Sequence, residues 1–134
     1  MRHSKPTISA DNESHKLYSS EEEKDALENR NVLAQFDEVC RMIVSANGVL
    51  ALTPVGVQSL HFLATQDIYT YAGKFRDGSV HIENSNHEPP HSDQVPKLVE
   101  DMCQYANSHH DDPTHVAAYL IRIAQINCAL GCSF

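Results

Sequence analysis

The sequence predicts a mainly helical domain interrupted by one short β-hairpin. Four segments repeat apolar residues at three- and four-residue steps, two of them opened by a polar residue followed by proline. Between the second and third, the pattern changes to short alternating runs around Asp77-Gly78.

In the first segment Val32, Leu33, Phe36, Val39, Cys40 and Ile43 fall on one face of a helix. Asn47-Gly48 should stop it, since both residues tolerate a left-handed backbone. The second helix should start at Thr53-Pro54, a hydroxyl cap before proline, and run through Leu60 and Leu63 to about Thr65. Alternation in Lys74-Phe75-Arg76 and Val80-His81-Ile82, with Asp77-Gly78 as the turn, predicts the hairpin. His87-Glu88-Pro89-Pro90 is a stiff connector, because each proline restricts itself and its predecessor. Ser92-Asp93 should cap a third helix striped by Val95, Leu98, Val99, Met102, Tyr105 and Ala106, closed by the polar run Asn107 to Asp111. Asp112-Pro113 opens a fourth, with Val116, Ala117, Leu120, Ile121 and Ala124. It is apolar over much of its surface, as a central helix would be.

The apolar residues are unevenly spread. Residues 1–30 hold almost no apolar run and carry Glu21-Glu22-Glu23, which predicts a mobile polar tail ahead of a packed unit starting near Asn31. With 134 residues and 41% hydrophobic content, the chain can bury one small core. A net charge of −8 and a pI near 5.5 argue against nucleic-acid binding, because no basic stripe is present to replace phosphate counterions. No run approaches the roughly 20 apolar residues of a membrane span, and the N-terminus lacks a signal-peptide core. Cys40, Cys103, Cys128 and Cys132 are therefore expected as reduced thiols in a cytoplasmic protein.

Several motifs occur in an order that resembles one family. Thr65-Gln66-Asp67-Ile68-Tyr69, Ala72-Gly73-Lys74-Phe75-Arg76 and Val80-His81-Ile82 are similar to the Fic (Fido) signature ahead of its active site. His87-Glu88-Pro89-Pro90, Val95-Pro96-Lys97-Leu98 and Ala117-Ala118-Tyr119 follow in the family's order, and Asn31 to Asp37 resembles the opening helix of bacterial members. The resemblance implies a Fic-like helical bundle with a β-hairpin flap, spanning residues 31–127, with 128–134 a non-family end. It implies a protein adenylyltransferase, moving AMP from ATP onto a hydroxyl side chain of a target protein with Mg²⁺. Gly73, Lys74, Phe75, Arg76, Val80, His81 and Ile82 would then form a target-docking flap that pairs with the target as an added strand.

The family's catalytic signature, HPFx(D/E)GNGR, should follow the apolar helix. There, its His serves as general base, its acid holds Mg²⁺, and its glycine-rich turn and Arg hold phosphates. This sequence has no His, acid or Arg after Arg122. The expectation is a domain incomplete at its C-terminal end, truncated or frameshifted near Arg122 to Asn127. It would have no catalytic residue, no bound cofactor, and a last helix prone to self-association. A small helical binding module using the hairpin edge is the alternative, and a non-functional fragment the third reading.

Two further patterns bear on inhibition and metal binding. Some family members carry an inhibitory Ser/Thr-x-x-x-Glu-Gly/Asn helix. Glu28-Asn29 supplies its end, but Lys24 stands at the hydroxyl position, and a solvated helix start explains the acid equally. The histidines His87, His91, His109, His110 and His115 fit no regular zinc spacing, even with Cys128 and Cys132, so no metal is expected.

Overall fold

A computed structural model of the chain describes residues 15–47, 51–78, 88–109 and 111–119. Three α-helices dominate them: α1 (Glu21–Ser45), α2 (Pro54–Thr65) and α3 (Val95–Ser108), the last entered through a 3-10 turn at Ser92–Gln94. Residues 113–119 are helical as well.

α1 begins earlier than expected, so the last ten residues of the predicted tail are helix. Its start is well capped. Ser20 Oγ accepts the Glu23 N–H at 3.1 Å, the Glu23 carboxylate accepts the Ser19 N–H, and three glutamates meet the positive end of the helix dipole. A cap can start a helix without an apolar stripe, which is why apolar content alone set the start too late. Asn47 just beyond the helix has φ +56°, the left-handed stop expected there.

α2 matches its predicted bounds. Thr53 Oγ1 accepts the Gly56 N–H at 3.0 Å and Pro54 occupies the first turn. α3 differs at its start: its cap residue is Gln94, which makes no side-chain cap bond, and His91 Nδ1 accepts the Asp93 N–H in the turn before it. Asp112 caps residues 113–119 as expected, accepting the His115 N–H at 3.1 Å.

The core lies on α3. Val95, Val99 and Cys103 are buried, with Leu52, Val57, Phe75 and Met102 packed against them. Full burial of a valine contributes about 1.5–3 kcal/mol, so these few residues carry much of the packing. Burial also pushes the Cys103 thiol pKa up. Asn107 fastens the end of α3 to the α1–α2 connection, donating to the Leu52 carbonyl at 2.8 Å and accepting the Leu52 N–H at 2.7 Å.

The hairpin is not formed by the residues described. Lys74 to Asp77 carry no strand, and Val80, His81 and Ile82 lie outside the described residues. Phe75 packs into the α3 cluster while its neighbour Arg76 is only 7% exposed. Two successive inward side chains break the alternation a strand requires. Among the described residues, β-pairing links Lys16 with Tyr69: Leu17 N–H donates to the Ile68 carbonyl and Thr70 N–H to the His15 carbonyl.

α1 meets α2 through Met42, which lies beside Gly56, and through polar side chains. Asn31, fully buried, donates through Nδ2 to the carbonyls of Ala64 (3.2 Å) and Gln66 (2.9 Å). Its Oδ1 accepts from Arg30, whose guanidinium also pairs with Asp67 at 2.8 Å. Gln35 donates to the Leu60 carbonyl at 2.9 Å.

Replacing Asn31 with Ala should lower the unfolding free energy by about 2–3 kcal/mol, because buried acceptors lose their donor. Urea unfolding checks this, with a lower midpoint and an unchanged slope expected. A loss below about 0.5 kcal/mol would refute the clamp.

Candidate functional site

Of the motifs that sequence reasoning singled out, Thr65 to Tyr69 and Ala72 to Arg76 lie on the turn after α2, Glu28 lies on α1, and Val80, His81 and Ile82 fall outside the described residues. Thr65 is buried and its hydroxyl donates to the His61 carbonyl at 2.7 Å, closing the helix onto itself. Gln66 follows, and Asp67 takes φ +66°, reversing the chain. Ile68 is then sealed at 1% exposure, with the segment 15–17 paired alongside. Thr65-Gln66-Asp67-Ile68-Tyr69 is therefore a rigid corner. Tyr69 and Tyr71 stack at 4.9 Å beyond it, and His15 meets Tyr71 edge-on.

The next motif is held as firmly. Gly73 has φ +75°, and a Cβ there would lie 2.9 Å from Phe62 Cβ and 3.2 Å from the Gln58 carbonyl oxygen. Only glycine meets both demands. The Gly73 N–H donates to His61 Nδ1 at 2.9 Å, and Gln58 Nε2 donates to the Gly73 carbonyl at 3.2 Å. The hydrogen bond to Nδ1 places the ring proton on Nε2, which is buried without a partner among the described residues. His61 is only 9% exposed, and burial lowers its pKa, so the ring is held neutral.

Further along, the described residues of the expected flap separate into two sets. Lys74 stands exposed, whereas Phe75 packs inward and Arg76 donates to the carbonyls of Gly78 (3.0 Å) and Pro90. Arg76 thus ties the segment before residues 79–87 to the proline connector after them. An open groove of about 480 Å³ runs beside this turn, lined by Glu38, Val55, Gln58, Phe62, Ala72 and Gly73.

Glu28 is exposed on α1, where its charge helps raise the Lys24 pKa, against a desolvation effect that acts the other way. Among the histidines, His109 and His115 gather on Tyr105: the His109 ring stacks on it at 4.1 Å and the His115 Nε2 meets its hydroxyl. No group of three or more metal-ligating side chains occurs among the described residues. Asn31, Gln58 and His61 escaped sequence reasoning. A polar side chain on a helix gives no periodicity signal when its partner is a distant backbone atom, as each of these is here.

The fold and this turn define a helical domain whose corner after α2 presents a tightly anchored segment beside an open groove. The model of the Fic/DOC family matches residues 51–128, more than half of the chain, and the chain belongs to that family. No curated protein and no solved structure matches it.

Two outcomes follow from the anchored turn. Because the His61 pKa is depressed in the fold, the unfolded chain takes up the proton first as pH drops. Stability should therefore be intact above about pH 6.5 and fall as pH moves below it. A His61→Asn variant, which keeps an acceptor for the Gly73 N–H but cannot titrate, should show a flatter profile between about pH 6.5 and 5.5 in thermal melts. Equal slopes would exclude His61. Separately, Gly73→Ala should cost about 2 kcal/mol or more, from backbone strain and the clash with Phe62. Chemical denaturation reads that directly.

Proposed function

We propose that this chain is the target-docking part of a Fic protein adenylyltransferase domain, without the residues that transfer AMP. The observation that supports this most is the anchored turn from Thr65 to Arg76 within the family match. It holds the entrance to the docking segment fixed on α2 and, through Arg76 and Pro90, ties that segment to the connector before α3. A recognition edge fixed at its base loses little conformational entropy when a target segment pairs with it.

In this reading the backbone around Lys74 and residues 77–82 engages the target, while Phe75 and Arg76 hold that backbone in place. ATP and Mg²⁺ belong to the family signature HPFx(D/E)GNGR, which residues 1–134 do not contain. General base, metal carboxylate and phosphate-binding arginine would all come from that signature, so in this reading residues 1–134 supply docking and the signature supplies the transfer step.

Incubation with α-labelled ATP, Mg²⁺ and a cell extract tests this. The 134-residue chain should transfer no label above background. The same chain extended by a segment carrying HPFx(D/E)GNGR should label protein hydroxyls, and lose this when the signature histidine becomes alanine. Label transfer by the unextended chain would overturn the reading, and so would an extended, folded chain that stays silent.

A further inference from the structure

α1 carries a second apolar face that the described residues leave uncovered. The side toward α2 combines the polar Asn31 and Gln35 with Met42 beside Gly56, while Val32 (57% exposed), Leu33 (66%), Phe36 (65%), Ile43 (41%) and Val44 (76%) point away from the fold. At 3.6 residues per turn these five share one face with Cys40, which is also exposed. The stripe from Val32 to Val44 is about 18 Å long, some three turns, at the spacing of anchors that seat a helix. It lies outside residues 51–128, the part that the family model matches.

Charge identifies the partner. On the same face the stripe continues into Glu22 and Asp25 and is flanked by Asp37, all exposed, and none of the three enters an ion pair among the described residues. The cations of α1 are turned elsewhere: Lys24 over the Tyr18 ring, Arg30 to Asn31 and Asp67, Arg41 to Glu38. An apolar stripe with an acidic rim repels nucleic acid and anionic lipid. It also disfavours a second copy of a chain carrying −8, whose rim would meet its own kind. We infer that this face of α1 docks an amphipathic helix of another protein whose apolar side is bordered by lysine or arginine.

The test uses the full 134-residue chain and a Leu/Lys amphipathic helical peptide of about 18 residues, with a Leu/Glu peptide of the same pattern as control. Calorimetry should show binding of the Leu/Lys peptide, weakened at least about tenfold between low and high salt. The Leu/Glu peptide should bind at least about tenfold less well. Leu33→Asp with Phe36→Asp should weaken the Leu/Lys peptide about tenfold or more, with an unchanged melting temperature since both side chains are two-thirds exposed. That result is sharp because added acids would strengthen a purely electrostatic contact. Should the double variant fold poorly, Asp25→Lys with Asp37→Lys must reverse the preference between the two peptides. Equal binding of both peptides overturns the inference. So does a double variant that binds as well as the parent, or a dimer in sedimentation that the double variant dissolves.

Discussion

Asn31 carries its amide into a place without water and uses both ends of it there. Nδ2 supplies the last carbonyls of α2, at Ala64 and Gln66, and Oδ1 receives the Arg30 guanidinium. Helix C-termini leave carbonyls without intrahelical donors, and buried ones must find a partner. Here the partner comes from a helix more than thirty residues away. The position of the corner at Thr65 to Tyr69, the left-handed Asp67 and the pairing of Leu17 with Ile68 all depend on where that amide fixes the end of α2.

A second set of bonds extends this rigidity along the chain. His61 and Gln58 project from α2 and hold the N–H and carbonyl of Gly73. Arg76 then reaches the carbonyl of Pro90 on the far side of the connector. Polar groups on α2 thus hold the backbone that the Fic resemblance assigns to target recognition. Recognition through a backbone edge needs this, because strand addition is only as specific as the register of the edge that receives it. The cost is local: a neutral imidazole must stay in an apolar setting, and that couples the turn to pH.

Helix ends were the most legible part of the sequence. Thr53-Pro54 and Asp112-Pro113 start helices where local chemistry placed them, because a cap needs only neighbours in sequence. The stripe of α3 was legible as well, with Val95, Val99 and Ala106 buried, though Cys103 joins them unannounced. The stripe on α1 was equally plain, yet it lies on the outside. Periodicity tells which residues share a face and leaves open which way that face turns. Of the predicted hairpin, the described part carries no strand, for a related reason. Alternation in Lys74-Phe75-Arg76 suggests a strand only if arginine is assumed to seek solvent, and a guanidinium with carbonyl partners can be buried.

The sequence by itself determined the helical class, the caps, the glycine that alone suits the turn at residue 73, and the family whose motifs run through it. These rest on interactions within a few residues or on backbone geometry that one residue type permits. Tertiary structure decided which faces are covered. It turned Asn31, His61 and Arg76 inward and left Phe36 outside, because burial is set by where a second element finds backbone groups to bond, and that partner lies far along the chain.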